Sequence, residues 1–115
     1  MIRVELRIDS FGCVSSLTSV GHAEPVGGVS AVCAAATVLV RTSARCLSAV
    51  HGVTIGGTAR EPGEMRYRVS VHDNSARERI AGMTEFLRRG LSDIRDDAPT
   101  ELELREITEG DGDGT

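Results

Sequence analysis

Apolar and polar residues alternate strictly at the start of the chain, where Ile2, Val4, Leu6 and Ile8 are separated by Arg3, Glu5 and Arg7. A period of two puts the apolar set on one face, so the segment predicts a strand with one buried side. Asp9-Ser10-Phe11-Gly12 supplies turn residues, and 14–20 then reads as a second, more polar strand, giving a hairpin. The polarity of that second strand suggests a sheet edge, where a peptide can add as an extra strand. The period then changes. From Ala31 to about Val50 there is no Gly or Pro, and Val32, Ala35, Ala36, Leu39, Ser43, Cys46, Leu47 and Val50 recur at helical spacing. This predicts a largely buried helix with small residues on its first turns.

Val53-Thr54-Ile55 between glycines predicts a short strand, and Met65, Tyr67, Val69 and Val71 alternate with Arg66, Arg68, Ser70 and His72 in a longer one, with 56–63 as loop. Ser75 followed by Glu78 matches a capping box. Ala76, Ile80, Met83, Leu87, Leu91 and Ile94 then trace one face of a second helix that Pro99 follows. Glu101 to Ile107 gives a final strand through Leu102 and Leu104. The order ββαββαβ, with one exposed face per strand, predicts an α+β fold: an open sheet with two helices packed on it. The 115 residues suffice for one domain with a modest core and not for two. We place that domain over 1–108 and read 109–115, acidic and glycine-rich, as a disordered tail.

Charge and cysteine usage narrow the function classes. Thirteen basic residues stand against 17 acidic ones, for a formal charge of -4, and the basic residues form no run, which argues against nucleic acid as the primary ligand. No stretch of about 18 apolar residues stands out to span a membrane, and the N-terminal segment lacks signal-peptide order, so a soluble, cytoplasmic protein is expected. Cys13, Cys33 and Cys46 form no CxxC pair and no zinc-type cluster with the histidines, which predicts thiols in a reducing compartment and no metal or cofactor.

The candidate chemistry lies in Gly21-His22-Ala23-Glu24-Pro25-Val26-Gly27-Gly28-Val29-Ser30-Ala31-Val32-Cys33-Ala34-Ala35. If Ser30 is the helix N-cap, Cys33 falls at the third helical position, within the turn whose open N–H groups and positive dipole end favour an anion. A helix N-terminus and a neighbouring imidazolium both lower a cysteine pKa from about 8.5, and the thiolate is the nucleophile. His22 ends a predicted strand, Gly27-Gly28 permits close folding of the loop, and Ala34 and Ala35 leave the sulfur open. Against this stands the ordinary reading of a cysteine at a small-residue helix start as a buried apolar side chain. Thr37, one turn on, is placed facing the site. Cys46 reads as core, Cys13 as a turn residue, and His51 as a partner of the first helix's last carbonyls. His72 reads as a surface residue, and Arg66 and Arg68 as an outer, solvated face.

The GHA stretch, the glycine-containing loop and VCAAA together resemble the ribosomal-processing cysteine protease family, and the element order is similar over nearly the whole chain. The resemblance implies His22 as general base and Cys33 as nucleophile. Gly21, Ala23, Glu24, Gly27, Gly28, Ser30, Ala34 and Thr37 would form the substrate-binding surround. It further implies a cytoplasmic, homodimeric endopeptidase that removes an N-terminal extension from a large-subunit ribosomal protein precursor. Ser30 stands where the family pattern carries Asp, and the His22–Cys33 loop is one residue shorter than that pattern. A serine in a capping role makes the first change mild. Two other readings use the same segment: a non-catalytic module that binds a peptide or anion on the glycine loop and helix N-terminus, and a redox sensor with a reversibly oxidised thiol.

Overall fold

The structure is a computed structural model that describes residues 1–22, 30–58 and 63–109. Its elements are β1 (Ile2–Ile8), β2 (Val14–Val20), α1 (Ala31–Ser48), β3 (Val53–Thr58), β4 (Glu64–Val71), a 3-10 turn at Asn74–Ala76, α2 (Arg77–Asp97) and β5 (Leu102–Thr108). The five strands form one sheet in the order β3-β4-β2-β1-β5. All neighbours are antiparallel except β1 and β5, which run parallel with Ile2 beside Leu102 and Leu6 beside Glu106. The predicted ββαββαβ order and open sheet are therefore observed, and the parallel β1–β5 pair makes the sheet mixed.

Alternation in β1 does what its period dictates: Ile2, Val4, Leu6 and Ile8 are all buried under the helices, while Arg3 is exposed and Glu5 and Arg7 are half-exposed on the opposite face. Leu17 from β2, Tyr67 from β4 and Leu102 from β5 complete the sheet's share of the core, and Ile80, Leu87 and Leu91 close it from α2. Fully burying one such leucine contributes about 1.5–3 kcal/mol. The register shifts between Arg7 and Ile8, and there the Val14 N–H is accepted by the buried Thr84 hydroxyl at 2.9 Å, which replaces a lost ladder bond.

Several expectations are corrected. β2 is not an edge strand but lies between β1 and β4. Its hydroxyl-rich outward positions are tolerated because only the face bearing Val14 and Leu17 is covered by helices. The edges are β3 and β5. The capping box is not formed: Asp73, not Ser75, caps the 3-10 turn by accepting the Ser75 N–H at 2.9 Å, and α2 begins behind Ala76 without a side-chain cap. Helix α1 is less buried than its composition suggests. Ala36, Val40 and Leu47 form its buried stripe, whereas Ala35 and Cys46 are exposed, because the contact face is rotated toward the sheet. The 18 residues of α1 reach a mean hydropathy of 1.2, long and apolar enough by composition alone to cross a membrane, so the expectation that no such stretch exists was too strong. In this fold α1 lies on the sheet as a core helix. Glu109, first residue of the expected tail, is tied to the sheet through its N–H on Ile8 O at 2.6 Å and its carboxylate on the Ser15 hydroxyl at 2.7 Å. The rest of that segment, 110–115, lies outside the described residues.

Candidate active site

Strand pairing brings Gly21 and His22 to the end of the sheet where β2 stops. β2 ends there at Val20, which pairs with Glu64 at the head of β4, and Arg3 of β1 lies beside Val20 on its other flank. Gly21 leaves β2 with φ of 108°, and its N–H donates to Gly63 O at 2.8 Å. A side chain at Gly21 would collide with the Met1 carbonyl oxygen, so the turn out of β2 requires glycine. His22 follows, exposed, with its carbonyl accepting from the Met1 nitrogen at 2.7 Å.

Helix α1 starts as the N-cap reading predicts. Ser30 has an extended backbone (φ -106°, ψ 111°), and its hydroxyl accepts the Cys33 N–H at 3.0 Å, while its carbonyl accepts the Ala34 N–H at 3.1 Å. Cys33 is thus the third helical residue. It extends the stripe of Ala36, Val40 and Leu47 by one turn, and is half-buried at the margin of the core. The cap has a chemical consequence. The Cys33 N–H is committed to Ser30, whereas the first N–H groups of a helix, here those of Ala31 and Val32, have no acceptor within the helix. They and the helix dipole are the donors this turn offers to a developing negative charge.

The other predicted residues divide. Thr37 is half-buried, one turn beyond Cys33, and Ala34 is exposed. With Ala35 and Val38, Ala34 lines the groove between α1 and α2. Ala23, Glu24, Gly27 and Gly28 lie outside the described residues. His51 is exposed, and the last α1 carbonyls are taken by the backbone N–H groups of Ala49 and Val50, not by its ring. His72 is a surface residue bonded to the Thr54 hydroxyl at 2.8 Å. Cys13 is buried, its thiol donates to Arg77 O at 3.3 Å, and burial, then the nearby Asp9 carboxylate, push its pKa up, which makes it a poor nucleophile. Cys46, expected in the core, is on the surface. No group of three metal-ligating side chains occurs among the described residues.

Sequence reasoning missed Gly63. This loop glycine has φ of 81° and lies directly against the His22 ring. The glycine itself was visible, but its pairing with His22 depends on a contact between β2 and β4 that no local pattern encodes.

A protein-family model for the cysteine protease Prp matches residues 1–103. The chain belongs to that family. As a Prp family member it is a cysteine protease, a hydrolase. The fold comparison agrees. SMU.848 from Streptococcus mutans superposes with a TM-score of 0.78 at 22% identity, over 95% of this chain and 99% of that one. The essential ribosomal processing protease Prp from S. aureus with a covalently linked product peptide superposes with a TM-score of 0.76 at 19% identity, over 92% and 99%. The same S. aureus protein with a substrate peptide gives 0.73 at 17% identity, over 92% and 99%. No curated protein matches the chain. Of the three cysteines, Cys33 is half-buried at a capped helix start, Cys13 is buried and Cys46 is on the surface.

Proposed function

We propose that this Prp family member is a cytoplasmic endopeptidase that removes the N-terminal extension of a large-subunit ribosomal protein precursor, with Cys33 as nucleophile and His22 as general base. The family match over 1–103 carries the reading. The capped turn at Cys33 and the backbone anchoring of His22 support it. His22 takes the thiol proton, and Cys33 Sγ attacks the scissile carbonyl carbon. The leaving amine takes the proton back from His22 as the tetrahedral intermediate collapses, and water then hydrolyses the thioester. The oxyanion falls to the Ala31 and Val32 N–H groups, since using that of Cys33 would break the Ser30 cap. Correctly aimed donors of this kind contribute about 3 kcal/mol each to the transition state. In this reading Ala23, Glu24, Gly27 and Gly28 contribute to substrate binding.

The protein acts as a homodimer in the same proposal. Support comes from the outer side of the two helices, where Val38 is 63% and Phe86 75% exposed. These two line one apolar groove with Ala35, Leu39 and Ile94, and Gly90 lets Leu39 seat against α2. Burial of these side chains against a second copy would remove apolar surface from water.

Cleavage of the extended precursor from the same organism by wild type, Cys33→Ser and His22→Ala, read by intact mass, tests the reaction. Loss of the extension with wild type alone is the expected result. An intact, soluble precursor after incubation with wild type would favour a peptide-binding module instead.

A further inference from the structure

We infer that Gly63, at the head of β4, is a positioning residue that seats the imidazole of His22, an inference that rests on His22 being the general base. A Cβ on Gly63 would lie 2.5 Å from His22 Cε1 and 2.9 Å from Cδ2, and closer still to Nε2. Non-bonded carbon atoms settle at about 3.5–4.0 Å, so any side chain here would force the exposed His22 ring out of its place. Three neighbouring ring atoms at such similar distances mean that the ring is met on its face, not at its edge. The hydrogen-bonding directions of both nitrogens lie in the ring plane, and therefore point away from Gly63. The seat blocks one side of the imidazole without consuming either nitrogen.

The backbone around the seat is fixed from two sides. The Gly21 N–H donates to Gly63 O at 2.8 Å, which ties the exit of β2 to the head of β4, and the His22 carbonyl accepts from the Met1 nitrogen at 2.7 Å. These bonds fix the root of the side chain and leave its rotation free. Contact with Gly63 supplies the missing restraint. A catalytic imidazole displaced by about 1 Å can lose about a hundredfold in rate, so a bare glycine here acts through His22 on turnover.

Strain and displacement are separable by experiment, because Gly12 has the same φ of 81° while the nearest atom to a Cβ there is Ala81 Cβ at 4.0 Å. Gly63→Ala and Gly12→Ala therefore share the backbone penalty of a positive φ, and only the first meets the ring. Gly63→Asn tolerates the left-handed backbone better and still carries a Cβ. With the ribosomal-protein precursor as substrate, both Gly63 variants are expected to lower kcat by about tenfold to a hundredfold with KM little changed. Gly12→Ala is expected to lose thermal stability and keep its kcat. Wild-type kcat in Gly63→Asn would overturn the inference. The seat is also read without turnover: in the wild type the His22 ring current shifts the Gly63 α-proton resonances, and His22→Ala returns them to ordinary glycine values. Unchanged resonances would refute the seat. Failure of the wild type to cleave the precursor would end the reading of that precursor as substrate, leaving the resonance comparison to decide on Gly63.

Discussion

Thr84 carries the one polar side chain fully buried among the described residues, and it takes the N–H of Val14 at 2.9 Å while donating its own proton to Ile80 O at 2.8 Å. The first bond spans the bulge where β1 and β2 slip register, and the second ties the hydroxyl to α2. Thr84→Val keeps the shape and strands the buried Val14 donor, which costs about 1–3 kcal/mol. Urea denaturation should show that loss for valine and a much smaller one for Thr84→Ser. Equal stability of valine and wild type would mean that the amide has found another acceptor.

Tyr67 offers a pH test. Burial pushes its phenol from the usual 10.0 up to about 12, with the Ser43 hydroxyl bond at 2.9 Å pulling the other way. Below pH 10 the phenol is neutral in both folded and unfolded chains, and its contribution is fully present. Between about pH 10 and 12 the unfolded chain releases the proton first, so stability falls across that window, by roughly 2–3 kcal/mol. Tyr67 is the chain's single tyrosine and there is no tryptophan, so phenolate absorbance follows this residue alone. Tyr67→Phe should flatten the alkaline loss.

The Ser30 cap predicts opposite changes in stability for two substitutions. Ser30→Ala removes the acceptor of the Cys33 N–H and should cost about 1 kcal/mol. Ser30→Asp retains an acceptor and adds a negative charge at the favourable end of the helix dipole, so its melting temperature should match or exceed wild type. A melting temperature in Ser30→Ala equal to wild type would show that the serine cap contributes nothing.

Thiol labelling separates the three cysteines. With Cys46→Ser removing the surface thiol, iodoacetamide at neutral pH should modify Cys33 and spare buried Cys13, as read by peptide mass. Labelling of Cys13 at a comparable rate would place the reactive sulfur elsewhere.

Phe86→Glu addresses the helix groove. A charge at this exposed ring should convert the proposed dimer to monomer in sedimentation, without loss of helix content. An unchanged sedimentation coefficient in a dimeric wild type would move the interface to another face.

Periodicity carried β1, β4 and both helices, whereas β2 was legible as a polar run after a turn, and β3 reaches Thr58, three residues into the segment read as loop. The Ser30–Cys33 relation was equally legible, since N-capping is a local bond over three residues. What escaped depends on partners distant in sequence. Cys46 fits a helical apolar stripe as well as Leu47 does, and only the angle of α1 on the sheet separates exposed from buried. The inner position of β2 follows from its pairing with β4, which lies beyond α1 and β3 in the chain. Gly63 belongs with these, because its meaning is supplied by His22.

Parallel pairing of β1 with β5 also governs the order in which the molecule can be made. During synthesis β1, β2, α1, β3 and β4 can assemble as the chain emerges, but one flank of β1 stays open until β5 docks on it. The end of the sheet where β2 leads into Gly21 and His22 belongs to the early part. The late strand instead closes a bare row of backbone donors and acceptors, the kind of edge on which nascent chains aggregate.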